Sequence, residues 1–320
     1  RDMERIYSAL QNVDLCPMGA AAITTSGFNV DRELMAELLG FHDCVENSYG
    51  AIAACDYITA SYSAMKLSCI NLGRFVQDLA SWTGFEISQL YVPDGFVQIS
   101  SIMPQKRNPV PVEHMRLMFS LASGGAEQII ETMHNTPFAD MNDSERETQS
   151  NGHQVFDRMK RALMLLSGFV EAIEVDQSSV NKRIDASLAT ITELADSIVR
   201  NEKISFRQAH QIAHKIAQTS IEQQKSLQEF SFEEYCCFFK SEIGDNAKMK
   251  PGIFNQISDP RHFVAVRNLR GGPSKESMLE SLQKYREKGE SYIEKIAAEK
   301  TRMELAVNQR EQSAKNLMIS

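Results

Sequence analysis

The sequence predicts an all-α fold: a bundle of long helices followed by a smaller helical domain. Three observations predict it. The nine prolines leave two long gaps, from Met18 to Val92 and from Phe138 to Lys250, and proline interrupts helix interiors. In and beside those gaps, apolar residues recur at spacings of three, four and seven, which marks one face of a helix. No run alternates apolar and polar residues as a half-buried strand would.

The first long helix is expected between Tyr57 and Phe85, with Ile58, Met65, Leu72, Val76 and Leu79 inward. The second carries Val112, Met115, Met118, Phe119 and Ala122, and the third Phe156, Met159, Leu163, Leu166 and Val170. Each exceeds roughly twenty residues, against a mean of about 11–12, and long helices with short connections form bundles. Composition shifts after Asp176. Residues 178–225 read as two or three shorter helices, one of them starting at Ser205. Residues 226–275 are mixed and hold the Arg270, Gly271, Gly272, Pro273 loop. From Lys275 onward the chain is rich in Glu, Lys, Gln and Ala, which predicts one or two solvent-facing helices laced by charge pairs one turn apart. The expected domains are therefore 1–180 and 181–320.

Composition narrows the function. The 320 residues hold 34 Lys and Arg against 42 Asp and Glu, a net charge of −8, with 42 % apolar and 24 % charged residues. That is an ordinary soluble globular protein. An acidic chain disfavours nucleic acid as a partner. No apolar stretch approaches the ~18 residues a membrane span needs. The six cysteines form no paired CxxC or His pattern, so no metal site is expected, and Cys236 beside Cys237 suits a disulfide poorly. Reduced thiols, buried as small apolar residues in a cytoplasmic protein, are the expectation. The chain starts at Arg1 without an initiator Met, which suggests a piece of something longer.

The most unusual stretch is residues 100–113: Ser100, Ser101, Ile102, Met103, Pro104, Gln105, Lys106, Arg107, Asn108, Pro109, Val110, Pro111, Val112, Glu113. It lies between the first two long helices. Asn108 is a good N-cap and Pro109 suits the first helical position, with Glu113 near the first turn. The positive end of that helix, with Lys106 and Arg107 beside it, can bind an anion. The arrangement suits a loop that closes on a carboxylate or phosphate. A capped polar connection between two helices would look similar.

The run Ser-Ser-x-Met-Pro-x-Lys-x-Asn, with Glu five residues later, resembles the signature loop of the fumarase/aspartase superfamily. Pro17 to Thr25, Asp31 to Leu34, Glu37 to Phe41, and Glu46, Asn47, Ser48 resemble its argininosuccinate lyase branch. So do Ser205 to His210, Val266 and Arg267, and Gly271 to Pro273. The resemblance covers about residues 1–280. It implies a homotetramer with shared active sites, no cofactor, and a succinyl-amine substrate that releases fumarate by β-elimination, as when argininosuccinate gives arginine.

By resemblance, Ser100 is the general base, and Lys106 and Asn108 hold the carboxylate and its developing charge. Glu113 orients a histidine acid, and Ser101 and Met103 shape the loop. The family's histidine lies in a Thr-His motif, and no such pair occurs among these 320 residues. The family's N-terminal domain is therefore expected to be absent from this chain. His210 and His214, one turn apart, fall in the C-terminal match.

Two departures stand out. Ile99 occupies the place of a family glycine before the serine pair, and a β-branched residue restricts the backbone there. The family's Tyr-Asn-Lys-Asp segment, which grips the arginine half, is also replaced. Aligned without gaps, its Tyr, Lys and Gln positions become Asp140, Asn142 and Glu145. Aligned on Asp-Met, they become Pro137, Ala139 and Asn142. Asn142 is the candidate contact in either case. Two alternatives stay open: a lyase for a different amine-succinate adduct, and a non-catalytic crystallin-like homologue.

Overall fold

The computed structural model describes residues 1–141 and 145–319. It is all-α, and the strands among the described residues are two residues long. The helices are α1 (Asp2–Val13), α2 (Arg32–Leu39), α3 (Ser48–Ala53), α4 (Asp56–Thr83), α5 (Val110–Thr132) and α6 (Glu145–Ala172). Then follow α7 (Gln177–Ser187), α8 (Ile191–Glu202), α9 (Phe206–Gln223), α10 (Phe232–Ile243), α11 (Pro251–Ser258), α12 (Pro260–Ala265) and α13 (Lys275–Ile319). Two compact units result: Arg1–Glu174 with Gly289–Ser320, and Val175–Lys288.

In the first unit α5 packs against both α4 and α6. Met65, Cys69, Val76 and Leu79 of α4 meet Val112, Met115, Phe119, Ala122 and Ile129 of α5. The expected inner faces of α4 and α5 are the observed ones, with Ile58, Leu72 and Met118 partly buried beside them. The third face differs. Helix α6 buries Val155, Met159, Ala162, Leu166 and Phe169, whereas Phe156, Leu163 and Val170 are exposed. Positions 156, 163 and 170 form a second apolar row next to the buried one. Periodicity finds both rows, and the placement of α5 decides which is covered.

The later part of α13 completes this unit. Arg302 pairs with Asp14 and donates to Glu299 at 2.8 Å, while Asp14 also accepts from the His42 backbone N–H at 3.2 Å. Tyr7 and Tyr292 pack at 5.6 Å between ring centroids, with the Lys295 ammonium over both. Gly40 ends α2 at φ +80°, and a Cβ there would sit 3.1 Å from Ala306 and 3.2 Å from the Met303 Cα. Glycine is required there both for its left-handed conformation and for the approach of α13.

The second unit is sealed by caps and buried carboxylates. Ser205 starts α9 and Ser231 starts α10, each in a reciprocal capping box, with Gln208 and Glu234 respectively. Its core gathers Leu194, Ile198, Ile212, Ile216, Tyr235, Phe239 and Phe254. Buried Glu202 accepts from the Tyr235 hydroxyl at 2.9 Å and from the Lys248 and Met249 amides at 2.7 and 2.8 Å. Buried Glu193 accepts from Ser197, Arg200 and Arg267. Burial alone would raise its pKa, but the hydrogen bonds from Ser197, Arg200 and Arg267 outweigh it and hold the carboxyl below its ordinary 4.5.

All six cysteines are free thiols, but only Cys16 and Cys69 are buried. Cys44, Cys55 and Cys236 are half-buried and Cys237 is exposed, which corrects the expectation that all would serve as core residues. Cys237 is an exposed position on α10, where its neighbours Cys236 and Phe238 are only partly buried. No helix among the described residues is long and apolar enough to cross a membrane.

Candidate functional site

The loop between α4 and α5 is a small hairpin. Gln98 pairs with Asn108 and Ile99 with Arg107 in an antiparallel ladder, so residues 100–106 form its tip. Lys106 donates its backbone N–H to the Met103 carbonyl at 3.0 Å. The tip is exposed from Ser101 to Arg107, and Ser100 is half-buried at its base. The Ser100 Oγ accepts from the backbone N–H of Met103 at 3.1 Å and of Ile102 at 3.3 Å. Two amides therefore point at one hydroxyl oxygen, an arrangement that favours negative charge on it.

The loop brings Ser100, Ser101, Met103, Lys106 and Asn108 onto one hairpin, and Glu113 lies exposed in the first turn of α5. Asn108 is not the helix cap. The helix starts one residue later, with Pro109 at the N-cap position, where it makes no side-chain cap bond, and Pro111 in its first turn. The Asn108 Nδ2 instead donates to the Gln98 carbonyl at 3.2 Å. The ladder claims that side chain before the helix can.

Arg107 also departs from expectation. Its guanidinium is turned away from the tip. It donates to the Asp94 carboxylate at 2.7 Å, the Val92 carbonyl at 2.7 Å and the Tyr91 hydroxyl at 3.3 Å, and lies 5.1 Å from the Tyr91 ring centroid. The Asp94 bond raises its already high pKa. Of the two adjacent cations, only Lys106 is left for an anion. The sequence held this partner set, since Tyr91 and Asp94 precede Arg107 by one short connection, but nothing in their spacing announces a hairpin.

Asn142 lies outside the described residues. Its neighbours Asp140 and Met141 line a cavity of about 510 Å³ between α3, α4 and α6, with Tyr57, Ser61, Tyr62, Gln149 and Phe156 among its walls. The Tyr49 hydroxyl donates to the Phe138 carbonyl at 2.9 Å and its ring stacks on Phe138, which fixes the approach to Asp140. Burial raises the Tyr62 pKa. Gly152 makes room for that hydroxyl, since a Cβ there would meet it at 2.0 Å. The sequence marks Phe156 as a helix-face residue and Tyr57 as the start of a helix, and gives no signal for Tyr62. No residue of the 100–108 hairpin lines this cavity, so within one chain the hairpin and the cavity are separate.

Residues 1–124 match the lyase family, and residues 188–265 match the argininosuccinate lyase C-terminal family. The chain is 50 % identical over 288 residues to argininosuccinate lyase 2 of Agrobacterium fabrum, covering 90 % of this chain and 57 % of that protein. It is 31 % identical over 302 residues to argininosuccinate lyase of Methanothermobacter thermautotrophicus, covering 92 % and 62 %. The chain thus spans about 60 % of the length of these relatives. An EDDS lyase variant with bound fumarate shares the fold at TM-score 0.91 and 22 % identity, over 98 % of this chain and 63 % of that one. Class II fumarase from Schistosoma mansoni does so at TM-score 0.64 and 16 % identity, over 80 % and 54 %. With both sequence matches and the long-helix fold in agreement, the chain belongs to the fumarase/aspartase superfamily, as an argininosuccinate lyase-like member.

Proposed function

We propose that the protein carrying this chain is a carbon–nitrogen lyase that eliminates fumarate from an N-substituted aspartate, with argininosuccinate as the leading substrate. The observation that carries the reading is the pair of backbone amides aimed at the Ser100 Oγ. A serine hydroxyl is a weak base unless its alkoxide is stabilised, and two fixed N–H donors do that. In this reading Ser100 removes the proton next to the carboxylate. The carbon–nitrogen bond then breaks and the electron pair leaves with the amine. Lys106 and Asn108 stabilise the dianion formed in between, and Ser101 and Met103 shape the closed loop. Glu113 orients the acid that protonates the amine. None of the seven histidines occupies the family's Thr-His position, so that acid is not assigned to this chain.

The separation of hairpin and cavity supports an active site shared between chains. So do the large exposed apolar side chains on the three long helices: Leu67 on α4, Leu117 and Leu121 on α5, and Leu163 and Met164 on α6. Monomers rarely leave so much apolar surface on one bundle. A homotetramer in the cytoplasm, serving arginine biosynthesis, is the assembly and setting proposed.

A second reading keeps the chemistry and changes the amine. It rests on Asp140, a carboxylate on the cavity wall where the gap-free alignment has the family's tyrosine. The test is fumarate release, followed by ultraviolet absorbance, from argininosuccinate and from a panel of amine-succinate adducts. Turnover of argininosuccinate supports the first reading, and turnover of another adduct alone supports the second. Ser100→Ala should lower the rate by about 10²–10⁴-fold and leave substrate binding intact. An undiminished rate would remove Ser100 from the mechanism.

A further inference from the structure

The hairpin bearing Ser100 and Lys106 is held at its base by a side chain to which the elimination chemistry gives no role. The chain enters the tip through Ile99 and leaves it through Arg107, and these two residues are paired. A ladder of two residue pairs is a weak support in water. Arg107 reinforces it with three donated hydrogen bonds, to Asp94, the Val92 carbonyl and the Tyr91 hydroxyl, and with its stacking on the Tyr91 ring. Val92 is part of the buried core of the bundle. The guanidinium therefore connects the exit strand of an exposed loop to a rigid core.

We infer that Arg107 is a positioning residue, a clamp that fixes the base of the hairpin to the 91–94 segment and so sets where Ser100 and Lys106 stand. Ser100 follows Ile99 directly and Lys106 precedes Arg107 directly, so a shift of the paired base moves both functional groups together. The fork geometry matters, because a planar guanidinium presents fixed N–H donors in its edge and a flat face to a ring, whereas a compact ammonium has neither the fork nor the face. The clamp also offers an account of how Ile99 can replace a hinge glycine: the base of this loop is held rather than swung. The catalytic consequence rests on the lyase reading above, whereas the clamp itself does not.

Two variants test it from opposite ends, Arg107→Met and Asp94→Ala, with Arg107→Lys as the conservative comparison. In hydrogen exchange on the whole chain, both should speed exchange of the 98–108 amides about tenfold while the α4 and α5 amides keep their protection. Unchanged exchange in both variants overturns the clamp. In the fumarate assay, Arg107→Met should lower kcat by up to about 100-fold, as misplacement of a reacting group does. KM should move little, and Arg107→Lys should recover only part of the loss. A raised KM at unchanged kcat would make Arg107 a substrate contact and overturn its positioning role. If the unsubstituted protein releases no fumarate from any adduct, the lyase reading fails, and the exchange measurement still decides the clamp.

Discussion

The two units solve opposite problems. The second, Val175–Lys288, pairs its buried charges internally: α9 and α10 start in capping boxes, and its buried carboxylates Glu193 and Glu202 are each matched by three donors. The first leaves apolar rows on α4, α5 and α6 in solvent, and it holds its Ser100 hairpin apart from its cavity. A unit with exposed apolar rows has surface for a partner to cover. A unit with every buried charge paired is suited to standing alone.

The contrast can be broken most directly at Glu202. Glu202→Ala would strand the Tyr235 hydroxyl and the Met249 amide in the core and release the Lys248 amide at its edge, at a cost of about 3 kcal/mol or more. Chemical denaturation should show that loss, with the protection of α4–α6 unchanged in hydrogen exchange. Acid gives a smaller effect. The folded pKa of Glu193 is lowered, so its stabilisation is present above the ordinary carboxylate value of 4.5 and is lost as pH falls through the lower folded value. Melting of the 175–288 amides should therefore become easier as pH drops below about 4.5, and Glu193→Gln should flatten that dependence.

On the first unit, Leu117→Ser with Leu163→Ser should change the stability of the isolated chain by about 0.5 kcal/mol or less, yet shift light-scattering mass toward the monomer. An unaltered mass would place the assembly face elsewhere. The finest test uses thiols. Exposed Cys237 should label first, and Cys69 last, since it is buried in the bundle with its thiol pushed up to about 11. Early labelling of Cys69 would mean that the bundle opens before the second unit does.

Much of this was readable in the residues. The long α4, Asp56–Thr83, matches the expected interval from Tyr57 to Phe85 to within two residues at either end, because a proline-free amphipathic run leaves the backbone little choice. Ser205 opens α9 and Lys275 opens α13 for the same local reasons. What stayed hidden depends on neighbours. The α6 face slipped by one residue because Phe156, Leu163 and Val170 are as apolar as the row beside them. Capping is a local preference and marks Asn108 as a cap, while its bond to Gln98 requires a hairpin that only tertiary structure supplies. Its position next to Lys106 marks Arg107 as an anion ligand, whereas its partners are Asp94 and the Val92 carbonyl.

The pairing of Arg302 with Asp14 spans 288 positions of the chain. Contacts of such long sequence separation raise the contact order and slow folding. At a synthesis rate of about 5–20 residues per second, the acceptor on Asp14 waits on the order of tens of seconds for its partner. During that interval the surfaces at Gly40 and Tyr7, against which Ala306 and Tyr292 of α13 pack, stay open on the nascent protein. The segment made in between, Val175–Lys288, has its own core and can fold while the first unit waits for its last helix.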